Sequence, residues 1–265
     1  MVNKSYETLV NDFKNIGIKA GDVLVVHSSL KSMGHVEGGA QTVIDALIDV
    51  LGKDGTLIFP TFSFTPCNET SFFSNKDTPS CVGLISETFR KMEGVYRTNH
   101  PSHSVGIIGK LTHELTKNEL LNDTPMGIYS PYRRLASVGA KILMLGCTLH
   151  SNSYMHALEE DAGVEYALRG YQEYTIVDEN GNEFKRSIRR HNFVRPNGTV
   201  AQRYDRTLDV LDDGDYKIAN IHGAKSVLID SVALKQKALK KFKECPLYFV
   251  DDLNGIYKDG CKTKL

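Results

Sequence analysis

The chain has no excess of charge of either sign. Lys+Arg 32 and Asp+Glu 32 cancel over 265 residues, so there is no electrostatic footprint for a polyanion and no nucleic-acid partner is expected. No apolar run approaches the roughly eighteen residues a membrane span requires. The first residues, Met1 to Glu7, are polar, so a cytoplasmic protein with no membrane partner is expected. The five cysteines (Cys67, Cys81, Cys147, Cys245, Cys261) are odd in number, scattered and without a C-x-x-C pair, which argues against both a zinc site and a disulfide framework. Internal repeats and domain linkers are also absent, as are the phosphate-binding patterns G-x-x-x-x-G-K-[ST] and G-x-G-x-x-G.

The patterning that is present predicts a single α/β domain spanning 1–265. Leu9, Val10, Phe13 and Ile16 share one helical face, and Gly17 closes that helix. The runs Val23 to Val26 and Thr56 to Phe59 are continuously apolar, as strands buried on both faces are, and a helix at about 40 to 51 lies between them. Such β-loop-α-β units suggest a mostly parallel sheet with crossover helices. Residues 62 to 82 carry no period and read as a long functional loop. A helix is expected at 83 to 92, a strand near Ser104 to Ile108, a helix at 110 to 117 and a strand at 141 to 145. The Asn180-Gly181 pair predicts a hairpin between Tyr171 to Val177 and Glu183 to Arg189. Residues 205 to 211 and 225 to 242 read as helices, and 246 to 250 as a final strand.

Four segments could carry chemistry. The loop from His27 to Gly39 joins a strand end to a helix start and combines glycines with serine hydroxyls. Glycine lets backbone N–H groups approach a ligand, and a helix N-terminus favours negative charge. The turn Arg97 to Ser104 crowds His100, His103 and an arginine together. His100 precedes Pro101 and is therefore held extended, and a structural histidine is the plainer reading. The third segment follows the strand ending at Leu145-Gly146, where a short helix carries His156 with Glu159 three residues on. That spacing places a proton acceptor and a carboxylate on one helical face. Cys147 offers a thiol nucleophile, but its apolar setting should raise its pKa and make it inert. The fourth is the basic run Arg186 to Arg195 with His191, which is either a solvated strand face or the flank of an anionic ligand.

Several of these pieces in order resemble the aminoglycoside 3-N-acetyltransferase family. They are Val26 to Leu30 with Gly38-Gly39-Ala40, Gly55 to Ser63, Arg97 to Ser104, Pro125-Met126-Gly127, Ser130-Pro131-Tyr132, Leu145-Gly146, Asn152-Ser153 with His156 and Glu159, and Gly223-Ala224. The resemblance covers about residues 6 to 250. It implies an α/β/α sandwich of the antibiotic N-acetyltransferase kind, distinct from GNAT enzymes. It also implies an acyltransferase that moves acetyl from acetyl-CoA to a small-molecule amine by direct attack, without a metal.

Under this resemblance His156 falls on the catalytic histidine, Glu159 on the glutamate that follows it, and His191 on a second histidine. His27, Ser28, Ser29, Leu30, Lys31, Ser32, Gly38 and Gly39 would lie beside the cofactor, grouped with His100 and Ser104. His150, Asn152, Arg189 and Arg190 are expected to contact the acceptor. The expected acceptor is an amino sugar, either a nucleotide-linked one or an aminoglycoside. Because His150 stands where the family usually has an aspartate and Arg186, Arg189, Arg190 and Arg195 would complement phosphates, the nucleotide-linked one is expected to be the better substrate. A non-catalytic CoA- or sugar-binding protein and a Cys147-dependent thioester hydrolase are the competing readings. A homodimeric assembly is left open.

Overall fold

The computed structural model describes residues 4–193 and 199–255. Helices α1 (Lys4–Ile16), α2 (Gly39–Leu51), α3 (Phe64–Thr70), α4 (Leu84–Arg90), α5 (Thr112–Thr116), α6 (Pro131–Arg134), α7 (Tyr154–Ala162) and α8 (Ser231–Glu244) alternate with strands β1 (Val23–Ser28), β2 (Thr56–Pro60), β3 (Phe72–Ser74), β4 (Tyr96–Arg97), β5 (Val105–Gly109), β6 (Lys141–Leu145), β7 (Leu168–Val177), β8 (Glu183–His191), β9 (Val200–Gln202), β10 (Tyr216–Ile221), β11 (Ala224–Asp230) and β12 (Val250–Asp252). The central sheet runs β10-β11-β6-β1-β2-β5-β4. Pairing is parallel in its middle, β6 to β1 to β2, where crossover helices connect the strands, and antiparallel toward both edges.

Helices cover both faces of the sheet, which is why its inner strands are continuously apolar. Val23 and Val25 face a core shared with Tyr132, Leu135, Tyr154, Leu158 and Leu234. Leu24 and Val26 face the opposite core, with Leu9 and Phe13 of α1 and Val43, Ile44 and Leu47 of α2. The result is the α/β/α sandwich expected from the sequence. No helix among the described residues is long and apolar enough to cross a membrane.

Three expectations are corrected. The stretch 225 to 242 is not one helix: Ala224–Asp230 is strand β11, and α8 begins only at Ser231. The break is local, because Asp230 Oδ1 accepts from the Val232 and Ala233 amides and so caps the helix. Its hairpin partner β10 is not marked by the sequence pattern, although the His222-Gly223 turn, with φ of 47° and 81°, is a left-handed pair suited to such a hairpin. Second, residues 62 to 82 are not structureless, since they form α3 and β3, which pairs in parallel with β7. Third, Cys67, Cys81 and Cys147 are free thiols, whereas Cys245 is disulfide-bonded.

A second sheet, β3-β7-β8, carries the residues that complete the site. Its hairpin is longer than the sequence suggested, pairing Leu168 with His191 and Val177 with Glu183, and it contains a bulge between Arg169 and Tyr171.

Candidate active site

A cleft of about 820 Å³ lies where strand ends of the central sheet meet the β7–β8 hairpin. From the strand ends come His27, Ser28 and Pro60, and from the other side Phe64, Asn68, Arg169 and Arg190. His103, His156 and His191 also line it.

His156 sits in the first turn of α7. Tyr154, Met155 and Leu158 anchor that helix in the core, and the Asn152 side-chain carbonyl accepts from the Tyr154 amide at its start. Glu159, fully buried, lies one turn further on, with Oε2 3.3 Å from His156 Nδ1. Tyr204 joins the two, since its hydroxyl donates to Glu159 Oε2 at 2.7 Å and lies 2.8 Å from His156 Nδ1. Burial, and next to it the Glu159 carboxylate, holds the Tyr204 phenol well above its usual range, so it keeps its proton. That proton is committed to Glu159, so the Tyr204 oxygen accepts from Nδ1–H of His156. The tautomer is thereby set, and Nε2 keeps its lone pair on the cleft side. There the Gln202 amide donates to it at 3.3 Å. Tyr166 adds a second hydroxyl to Glu159, donating to Oε1 at 3.2 Å.

His191 stacks on His156, with centroids 4.2 Å apart and planes at 28°. Its Nε2 lies 3.3 Å from Glu160 Oε1. Adjacent glutamates of one helix thus serve two histidines. Burial, followed by the charges of His156 and His100, pushes the His191 imidazole well below its usual range. His103 is likewise pushed down, first by burial and then by His191, His100 and His156. These two rings stay neutral beside the first. The imidazole nitrogens of His103, His156 and His191 all lie within 4.8 Å of one another, the one grouping among the described residues that could approach a metal ion. Each ring already has a nearer partner, in Ser102, Tyr204 or Glu160.

Other sequence-selected residues divide between cleft and scaffold. His27 and Ser28 line the cleft. Burial, and secondarily His156, depresses the His27 imidazole to about 3, and its Nε2 has no hydrogen-bond partner. Ser29, Leu30, Lys31, Ser32, Gly38 and Gly39 are not among the cleft residues. Ser29 and Ser32 bond each other through their hydroxyls, and Leu30 to Ser32 lie in a short 3-10 turn. His100 lies behind the surface, accepting from the His103 amide at 3.1 Å, and it is His103 that faces the cleft. Ser104 is fully buried between Arg97 and the Thr61 carbonyl. Arg97 spends its guanidinium on Asn75, Thr78, Thr61, Ser63 and Ser104, and so pins the 61 to 78 segment to the sheet.

His150 lines the cleft, 3.5 Å from Asp205, whereas Asn152 is buried in the turn. Arg190 lines the cleft but Arg189 does not; it lies over the Tyr171 ring instead. Arg186 donates to the Leu120 and Asn122 carbonyls, and Arg195 lies outside the described residues. Burial drives the Cys147 thiol up to about 12, which leaves it un-ionised and weakly nucleophilic. Sequence reasoning did not single out Tyr204, Gln202, Glu160, Arg169 or Phe193. Glu160 follows Glu159 on α7 and could have been found from its i+4 spacing to His156, whereas Tyr204, Gln202, Arg169 and Phe193 come from other segments of the chain and no local spacing marks them.

An α/β/α sandwich with a buried histidine–glutamate pair opening on a cleft is a scaffold suited to proton transfer. Residues 25–243 match the family model described as aminoglycoside 3-N-acetyltransferase, and the chain belongs to that family. It is similar to aminoglycoside N(3)-acetyltransferase VIII of Streptomyces fradiae, 31% identical over 58% of this chain and 60% of that protein. It is also similar to the SPbeta prophage-derived aminoglycoside N(3')-acetyltransferase-like protein of Bacillus subtilis, 32% identical over 59% of this chain and 65% of that one. The matches thus span under two thirds of these relatives. Among solved structures, the fold matches AAC-IIIb in a binary complex with CoASH, with a TM-score of 0.77 at 22% identity over 90% of this chain and 96% of that one. It also matches the aminoglycoside acetyltransferase AAC(3)-IVa apoenzyme, at 0.75 and 24% over 96% and 94%.

Proposed function

We propose that this chain, as one acetyltransferase domain over 1–265, transfers acetyl from acetyl-CoA to the amine of an amino sugar, with His156 as general base. The observation that carries this reading is the Tyr204-held tautomer of His156, which turns an unprotonated Nε2 toward the cleft. The amine nitrogen attacks the thioester carbonyl carbon, Nε2 takes the amine proton as the C–N bond forms, and the CoA thiolate leaves as the C–S bond breaks. Glu159 stabilises the imidazolium formed in that step, and the neutral His191 and His103 add no competing charge.

His27 Nε2, buried without a partner beside Ser28, forms a donor set suited to carbonyl and amide groups of a pantetheine arm. Direct attack is preferred over a Cys147 acyl-enzyme because burial pushes that half-buried thiol up to about 12, so it stays protonated. The relatives' names bring aminoglycosides in as candidate acceptors, beside nucleotide-linked amino sugars. The test is release of CoA thiol with and without amine. Thiol release that requires amine and yields N-acetylated product supports the reading, and amine-independent release would replace it with thioester hydrolysis.

A further inference from the structure

The cleft carries cationic groups that the acetyl-transfer chemistry does not use. Arg169 and Arg190 both line it, and they are direct cross-strand partners in the β7–β8 hairpin. Like charges placed opposite each other on two strands are destabilising. The Nε of each is buried without a hydrogen-bond partner. The other described arginines are held by carboxylates or backbone carbonyls: Arg90, Arg133, Arg203 and Arg206 by acids, and Arg97, Arg134, Arg186 and Arg189 by carbonyls. No carboxylate forms a salt bridge to Arg169 or Arg190 among the described residues, and no aspartate or glutamate lines the cleft. Arg190 instead reaches the Tyr174 hydroxyl, which donates onward to Asn68 at 3.1 Å.

Resting on the acetyl-transfer reading above, we propose that Arg169 and Arg190 form a clamp for a phosphate on the acceptor, so that the substrate is a phosphate-bearing amino sugar. Two guanidinium forks facing one cleft match the bidentate geometry of phosphate oxygens. The clamp is next to the chemistry, because the Arg169–Arg190 pair is followed in register by Leu168–His191, and His191 stacks on His156. Arg169, Arg190, His156 and His191 all line this one cleft of about 820 Å³, so the phosphate and the amine of a single sugar would be held in the same cavity. A polycationic acceptor would meet two unneutralised guanidiniums on this wall.

Two readouts test this, using Arg169→Gln, Arg190→Gln and the double variant. The first is thermal stabilisation by inorganic phosphate without acetyl-CoA. The wild type should be stabilised and the double variant should not; equal stabilisation would overturn the clamp. This readout holds even if no amine is acetylated, an outcome that would defeat the transfer reading separately. The second is the ratio of kcat/KM for glucosamine 6-phosphate over glucosamine, with UDP-linked glucosamine distinguishing a diphosphate source and kanamycin serving as the polycation. The ratio should be about tenfold or more in the wild type and collapse toward one in the variants. Kanamycin outperforming the phosphorylated acceptors would overturn the proposal. So would a rise in KM for acetyl-CoA that vanishes with 3′-dephospho-acetyl-CoA, because the clamp would then hold the cofactor.

Discussion

Replacing Glu159 with glutamine removes one charge and leaves the side-chain shape in place. In the wild type its Oε2 lies 3.3 Å from His156 Nδ1 and accepts from Tyr204 at 2.7 Å. Once His156 has taken the amine proton, carboxylate and imidazolium attract each other by about 5 kcal/mol at that separation with an effective dielectric of about 20. Glutamine keeps part of that interaction through its carbonyl dipole. The expected loss is therefore that of a single hydrogen bond to a charged group, about 1.5–3 kcal/mol. At about 1.36 kcal/mol per decade, kcat should fall roughly 10- to 150-fold. KM for acetyl-CoA should change little, because Glu159 lies beneath the cleft surface. Stopped-assay kinetics of CoA release, with thermal denaturation checking that the Tyr166 and Tyr204 contacts have not collapsed the fold, measure this. A well-folded Glu159→Gln enzyme with kcat within about twofold of wild type would refute the assignment of Glu159 as the group that stabilises the charged imidazole.

Cys147→Ser should keep most activity, because a thiol pushed up to about 12 contributes little thiolate at neutral pH; an acetylated Cys147 peptide able to pass its acetyl to amine would contradict this. Stability should depend on acid through His27 and His100, which burial depresses to about 3 and about 4. An imidazole whose folded pKa lies below its unfolded value of about 6.5 takes up a proton on unfolding, so stability is lost as pH falls below that value. Each contributes a loss of about 2 kcal/mol by pH 5, and urea melts of His27→Asn at pH 7 and pH 5 should show a smaller difference than wild type. Gly146→Ala should destabilise by about 1 kcal/mol or more, since φ is 64° and its Cβ would stand 3.0 Å from both Ala224 and Ser32. Equal melting temperatures would contradict that.

The sandwich was readable because two-sided burial leaves a mark on every inner strand: Val23 to Val26 alternate between the two cores residue by residue. The segment 225 to 242 was harder to read because Val227 to Ile229 is a short apolar run, and such a run has no period that distinguishes helix from strand. The Asp230 cap was the local signal that divided them. His156 and Glu159 were visible as a pair because helical spacing alone brings them together. Tyr204 bonds to His156 across 48 positions, and His191 stacks on it from the end of a hairpin. Only tertiary packing makes such contacts. The basic run Arg186 to Arg195 shows the same limit: its composition was plain, but of its described arginines only Arg190 faces the cleft, and its partner Arg169 lies on the opposite strand.

The central claim is that His156 takes the proton from an attacking amine, and the most direct measurement compares wild type with His156→Ala under saturating acetyl-CoA and amine. Product N-acetylation is followed by mass spectrometry and CoA thiol by absorbance. The account predicts one thiol released per acetylated amine in the wild type, and a kcat about two to four orders of magnitude lower in a folded variant that still binds CoA. Equal rates for the two proteins at neutral pH, or thiol release that does not require the amine, would contradict it.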